Sequence, residues 1–576
     1  MPRKLVGSFT FVLHSHLPYV LSHGRWPHGT DWLNEAAAET YIPLLNTLET
    51  LVEEGISPKL TLGITPVLAE QLKDLSFRDE FKWYLNNKIE AAQADQKEFK
   101  VLKEKRLAGV ASMWEEFYTN AYTAFTERHK EDLVKAFANL QRAGHIEIIT
   151  CGATHGYFPL LSRDESIQAQ VKQAVASHKR NFGRKPKGIW LPECAYRPGY
   201  RWSPPVEGGG KAYERKGVEE FLSENGLEFF IIDSHMLEGG KAIGVYLDRY
   251  EALEKLWGRF SETYRPRPFD PKKSPYEIFA VGEKQGKKPV AVLTRDPKTG
   301  IQVWSGEHGY PGNPYYLDFH KKRFPGGLRY WRVTDTKADL AEKKEYHPET
   351  AEKYIPEQAG HFVGLVKETL KGYREKKGAP GILTAPFDAE LFGHWWFEGP
   401  RWLYHVLKGI AADPELELTT GSEYLKQNKV RTLISLPEGS WGEGGFHYIW
   451  LNEWTQWTWK HIYEAEAEMV ALAKEFGDSK DDILQDILKQ AAREVLLMQS
   501  SDWQFLISTW SARDYAEMRF TEHVSDFGKL ADMTKRYGRG EKVSQGEWEY
   551  LGITKERDRL FEDIDPKWWA RLEYPD

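Results

Sequence analysis

Seven times over about 390 residues, this chain repeats one pattern: a short apolar run that breaks off into polar or charged residues. The runs are FTFVLHSH (9–16), KLTLGITP (59–66), IEIITCGATH (146–155), GIWLPE (188–193), LEFFIIDSH (227–235), VAVLTRD (290–296) and GILTAPFDAE (381–390). Their near-continuous apolarity fits strands buried on both faces, as in a parallel sheet. Three of them follow amphipathic helical stretches: EDLVKAFANLQRAG, QAQVKQAVASHKRNFG and HFVGLVKETLKGYREKKG, each ending at a glycine suited to a helix C-cap. Helix–strand alternation of this kind predicts an α/β fold, and seven strands favour closure into a (β/α)7 barrel over an open sheet. In such a barrel the residues trailing each strand gather on one rim, where active sites lie. His14, His16, His155, Glu193, His235, Arg295 and Asp388 would meet there.

The barrel accounts for residues 1–414, with two interruptions. Residues 70–143 are too long for one crossover and are expected to form an inserted helical subdomain. Residues 237–280 lack a clear period and read as a long active-site loop carrying Tyr246, Tyr250, Trp257 and Tyr264. From 415 to 576 the pattern turns mostly helical, predicting a C-terminal helical domain.

Composition narrows the function. A net charge of -7 gives no reason to expect nucleic acid, and no run approaches the ~18 apolar residues that span a bilayer. Two cysteines, Cys151 and Cys194, make neither a disulfide framework nor a structural zinc site. With no recognisable signal sequence, the expected compartment is the cytoplasm. The many charged residues also suit a thermophile. The chain carries 22 Trp, 28 Tyr and 28 Phe, many of the tryptophans beside Gly, His, Asp or Glu. Flat apolar rings with polar rims suit sugar binding.

Glu193 and Cys194 compete as nucleophiles in WLPEC. Cys194 has no local activating signature and reads as packing, whereas an acid straight after WLP is costly in a core and sensible at a rim. Asp388, just past the last strand, is the second acid. Its alternative role is a helix N-cap, and that of Glu390 is a first-turn acid facing the helix dipole. Two carboxylates on one rim among aromatics are what glycoside cleavage needs. His14 and His16 share one face of a strand and could ligate a metal, but no clustered third ligand is evident, so they read as hydrogen-bond donors. Glycines around Trp441 and Trp450 suggest open indole faces for sugar stacking. Trp32, Trp304 and Trp396 are further candidate rings, with one ring of the HWW pair (Trp395, Trp396) expected in the core.

HSHLPY, GHIEIITCGATHGY, WLPECAYRP, TAPFDAELFGHWW and SSDWQFLIS resemble, in order and spacing, glycoside hydrolase family 57 across essentially the whole chain, most of all its 1,4-alpha-glucan branching subgroup. The resemblance implies a (β/α)7 barrel with a helical insertion and a helical C-terminal domain. It implies a retaining reaction on α-glucan without cofactor or metal, with Glu193 as nucleophile and Asp388 as acid/base. It places His14, His16, His155, Trp304, Trp441 and Trp450 along the cleft, and Arg295, Gly312 and Asp502 at substrate. Tyr246 is the expected tyrosine of the long loop. Partners are then an α-glucan and no nucleic acid or membrane, the protein being a monomer or small homo-oligomer. The rival activities are an α-amylase or 4-α-glucanotransferase of the same family, a metal-dependent polysaccharide deacetylase, and a non-catalytic glucan-binding protein.

Overall fold

All seven apolar runs fold as strands: β1 (Gly7–Ser15), β2 (Leu60–Ile64), β3 (Ile146–Ile149), β4 (Gly188–Ile189), β5 (Phe229–Ile232), β6 (Val290–Thr294) and β7 (Gly381–Asp388). These come from a computed structural model that describes residues 5–206, 209–242, 250–262, 264–282, 288–306 and 309–572. The helices Asp164–Phe182 and Pro348–Lys377 end at Gly183 and Gly378, both left-handed with φ of 75° and 76°. A side chain is strained in that conformation, which is why glycine stops the helix there.

The strands hydrogen-bond as two sheets. One has β7, β1, β2 and β3 side by side and parallel, with Leu416–Leu418 beside the start of β1. The other has β4, β5 and β6 in parallel, with Phe279–Val281 antiparallel on β6. Single parallel bridges, Thr150 to Ile189 and Arg295 to Thr384, span the two seams. Neither seam carries a ladder. At one, β4 has only two residues of strand before the Pro192 turn. At the other, Phe279–Val281 occupies the β6 edge over Val290–Val292, leaving Arg295 alone to reach β7.

Side chains alternate along β1 as the strand period requires. Phe9 and Phe11 pack against Phe362 of the helix Pro348–Lys377, at 5.9 Å between ring centres. Thr10, on the other face, meets Thr61 of β2 at 3.4 Å. Thr10, its register partner Thr384 on β7 and Thr61 are all buried, so this face of the sheet carries small hydroxyls where the other carries aromatic rings. His14 ends the hydroxyl side.

In the stretch 70–143 two long helices, Leu75–Val101 and Lys105–Thr123, precede the helix Leu133–Arg142 that leads into β3. The change to an all-helical pattern comes later than residue 415. Leu416–Leu418 still pairs with β1, and Ser422 N–H donates to Glu147 of β3 at 2.8 Å. The helices Gln456–Phe476, Asp482–Met498, Ser501–Thr509, Arg513–Gly538 and Gln545–Arg557 follow. Among the described residues no helix is long and apolar enough to cross a membrane.

Candidate active site

Pro192 ends β4, and the next two residues turn the chain sharply back. Glu193 sits at φ 60°, ψ 27° and Cys194 at φ 47°, a left-handed pair that non-glycine residues adopt at a cost of about 1–3 kcal/mol each. The turn is pinned from a distant segment, since Trp441 N–H donates to the Glu193 carbonyl at 3.1 Å. The same residue reaches the side chain, its indole Nε1–H donating to Glu193 Oε2 at 2.9 Å. Ser501, at the start of helix Ser501–Thr509, donates to Oε1 at 3.3 Å. Burial pushes the Glu193 carboxyl up to about 7. The Trp441 and Ser501 donors and the His16 ring oppose that rise, and the Asp502 charge adds to it. Cys194 is also buried, which raises its thiol well above the usual range. It is therefore a poor nucleophile at neutral pH.

Three histidines back the carboxylate. His14 lies flat on Trp190 at 4.7 Å and 4°. Its Nε2 meets His155 Nε2 at 3.0 Å, and His155 Nδ1 meets Ser501 Oγ at 2.8 Å. His155, also left-handed at φ 61°, stacks on His16 at 3.9 Å. Burial and the neighbouring rings hold His14 well below its usual pKa. Burial and His16 do the same for His155, with Asp502 pulling the other way. His16 uses Nε2 toward Asp502 at 2.9 Å and Nδ1 toward Thr65 at 3.1 Å. Burial would raise Asp502, but the charge and hydrogen bond of His16 outweigh it and hold the carboxyl at about 2. Glu390 accepts His16 N–H at 3.1 Å and Tyr41 O–H at 2.5 Å, so it fastens the loop after β1. Donor atoms of His16, His155 and Asp502, and of His14, Cys151 and His155, lie close enough for a cation. His14 Nε2, both ring nitrogens of His16 and of His155, and Asp502 Oδ2 already take part in the hydrogen bonds above, and we assign no metal to them.

Asp388 ends β7 in register with His14 on β1, so the two side chains project side by side. Arg295, past β6, grips Asp233, past β5, through Nε at 3.2 Å and Nη2 at 2.7 Å. Its guanidinium lies 6.0 Å from the Trp441 ring. Burial would raise Asp233, but Arg295 and His235 override it and hold the carboxyl at about 2. Glu193, His14, His16, His155, Asp388, Arg295, Trp441 and Asp502 thus come together. Trp304 stands edge-on to Trp441 at 6.1 Å but is only 1% exposed, so it backs the cluster without offering an open face.

Other expectations fare differently. Trp450 is 1% exposed and stacks on Tyr157 at 4.4 Å; Trp396 is equally buried against Phe392 and Trp402. Neither ring offers an open face. The glycines near Trp450 make room for packing: a Cβ on Gly442 would fall 2.7 Å from the Trp450 ring. Trp32 is half-buried with His28 and Tyr515 as ring neighbours. Gly312 serves a tight turn, where a Cβ would fall 2.1 Å from the Gly306 carbonyl oxygen. Tyr246 lies outside the described residues. Ser501, Trp190 and Asp233 went unnoticed as site residues in the sequence. The serine pair just before Asp502, in SSDW, was the one available signal for Ser501.

Residues 10–437 match glycosyl hydrolase family 57, and residues 461–569 match the C-terminal domain of 1,4-alpha-glucan branching enzymes. The chain is 41% identical over 560 residues to a 1,4-alpha-glucan branching enzyme of Thermococcus kodakarensis, covering 97% of this chain and 78% of that one. It is 30% identical to a probable 1,4-alpha-glucan branching enzyme of Mycobacterium tuberculosis, with 91% and 92% covered. Its fold superposes on the crystal structure of the GH57-type branching enzyme of Pyrococcus horikoshii with a TM-score of 0.87, at 39% identity over 99% of this chain and 98% of that one. The α-amylase AmyC of Thermotoga maritima gives 0.80 at 27% identity, with 99% and 100% covered.

Proposed function

The chain belongs to glycosyl hydrolase family 57, and from that premise we propose that it is a 1,4-alpha-glucan branching enzyme with Glu193 as nucleophile and Asp388 as acid/base. Glu193 attacks the anomeric carbon of an α-1,4-linked glucan while Asp388 protonates the leaving oxygen. The resulting glucosyl ester is then attacked by a 6-hydroxyl of the same or another glucan, Asp388 receives its proton, and an α-1,6 branch forms. Water in place of that hydroxyl gives hydrolysis.

One observation carries the assignment of Glu193. It is a carboxylate with a 14% exposed side chain on a strained turn, held by two neutral donors, and no guanidinium or ammonium of the described residues is bonded to it. An acid kept for stability is normally paired with a cation. Strain of this kind persists only where surrounding contacts fix it, and it clusters at active sites.

We further read the two parallel sheets as one seven-stranded barrel in chain order. The bridges Thr150–Ile189 and Arg295–Thr384 support this, since they fall at the two places where closure is needed. On this reading the site residues follow the carboxyl ends of the strands, the usual position of a barrel active site.

The α-amylase reading is kept alive by the likeness to AmyC. Incubation with amylose separates the two. Branching lowers iodine colour and creates α-1,6 linkages with few new reducing ends. Many reducing ends with almost no α-1,6 linkages would select the amylase.

A further inference from the structure

Resting on the reading of Glu193 as nucleophile, we infer that Ser501 is a positioning residue at the end of a one-way chain of neutral donors, His14 to His155 to Ser501 to Glu193. The direction follows from what each atom can do. An ionised carboxylate only accepts, so the Ser501 hydroxyl gives its proton to Glu193 Oε1 at 3.3 Å. That hydroxyl must then accept from His155 Nδ1 at 2.8 Å, making His155 the Nδ1–H tautomer. His155 Nε2 is left as an acceptor and takes the Nε2–H of His14 at 3.0 Å. His14 Nδ1 is then the bare nitrogen. It is buried without a hydrogen-bond partner, as the assignment requires, and it faces Gly63, where a Cβ would fall 3.4 Å away. Every atom in the chain finds its role in one orientation only.

The arrangement solves a problem specific to this chemistry. The nucleophile must be ionised inside a buried site, and a cation bonded to it would achieve that. The glycosyl transition state is itself cation-like, and a fixed positive charge beside Glu193 would oppose it. Oriented neutral dipoles stabilise the carboxylate without that penalty. The other polar side chains near Glu193 come in pairs, His16 with Asp502, and Arg295 with Asp233 beyond Trp441. Asp388 lies on the neighbouring strand end, and Cys194 is held as a thiol. Ser501 also fixes the geometry, since its own N–H donates to the His155 carbonyl at 3.0 Å and a backbone bridge joins Gly156 to Ser500. The C-terminal helices therefore supply part of the nucleophile's setting.

The full-length protein tests this in two ways. In histidine labelled with nitrogen-15, nuclear magnetic resonance of the wild type should show His155 as the Nδ1–H tautomer and His14 as Nε2–H at a pH well above the Glu193 pKa, where its carboxyl is ionised. An imidazolium, or an Nε2–H His155, overturns the inference even if no variant is made. In kinetics, Ser501→Ala should move the acidic limb of kcat/KM up by about one pH unit, a tenfold extra loss below the limb compared with the plateau. Ser501→Thr, which keeps the hydroxyl, should restore the limb. An equal loss at every pH, or no loss, overturns the positioning role. If Glu193→Gln retains full activity, the reading of the nucleophile has failed instead, and the kinetic shift loses its meaning while the tautomers stand on their own.

Discussion

Two of the acid–histidine clusters among the described residues differ in how their backbone is held and in how Glu193 and Asp558 are paired. At the strand ends, Glu193, His14, His155 and Ser501 are joined by hydrogen bonds from neutral donors, with Glu193 and His155 on left-handed backbone. Between the loop after β1 and the C-terminal helices, His23, Arg519, His523, Asp526, Arg557 and Asp558 form the second cluster. There His23 Nε2 meets Asp558 at 2.6 Å, Arg557 bonds both Asp526 and Asp558, and Arg519 donates to the Tyr19 carbonyl at 2.8 Å. None of these six residues has a positive φ. Burial would raise the Asp558 carboxyl, but His23, His523 and Arg557 hold it far below the ordinary range, whereas Glu193 is left near 7. Burial of acids with imidazoles therefore does not mark a site by itself. A carboxylate without a bonded cation is no mark either, since Glu494, against the second cluster, is held by Gln490 and His523 and burial pushes its carboxyl well up; the mark is a backbone forced out of its preferred conformation. The second cluster ties the chain's two ends together; the first is poised for chemistry.

Mutation should separate the two. Glu193→Gln should cost about 10³-fold or more in turnover, because no nucleophile remains, while Cys194→Ser stays within about twofold. Assays of α-1,6 linkage formation on amylose check both. Arg519→Met should do the reverse. It strands buried polar partners and should lower unfolding free energy by about 3–5 kcal/mol, read by denaturant titration, with turnover per folded molecule nearly unchanged.

The pH dependence of stability should have opposite signs in the two clusters. The Glu193 pKa is raised from 4.5 to about 7 on folding, so the folded state holds a proton the unfolded state has lost. Its destabilisation is absent below about 4.5 and complete above about 7. Glu193→Gln should therefore gain up to about 3 kcal/mol over the parent at pH 8 and nothing at pH 4. Asp558 is depressed, so it stabilises above its unfolded pKa and loses that contribution in acid. Asp558→Asn should be destabilised at pH 7, with the deficit shrinking as pH falls. Melting curves of both variants across pH decide, and the same sign for both would collapse the distinction. Smallest in effect, Trp441→Phe keeps the ring and removes the Nε1–H donor. A hydrogen bond to a charged group contributes about 1.5–3 kcal/mol, so kcat should fall about tenfold to a hundredfold with KM little changed.

Much of this was legible in the chain. Strands buried on both faces announce themselves as apolar runs, and an acid directly after such a run is conspicuous, which is why Glu193 and Asp388 stood out. His14 and His16 followed from the two-residue period of a strand. Contacts between distant segments were not legible. Ser501 reaches Glu193 across 308 residues of sequence, and nothing near either position announces the partner. Glycine beside tryptophan was misleading, because it reads as exposure of the ring. In the fold, Gly442 instead lets Trp450 sink into the core against Tyr157. The seams between the two sheets were not legible either, since each carries a single bridge, at Thr150 and at Arg295.

The most direct test of Glu193 is covalent. A slow, fluorine-substituted α-maltosyl fluoride should accumulate as a glycosyl ester on the enzyme, and peptide mass spectrometry would locate it. The adduct should fall on Glu193, within the peptide that also holds Cys194, and should be lost in Glu193→Gln. An adduct on Asp388, or on Cys194, would contradict the assignment.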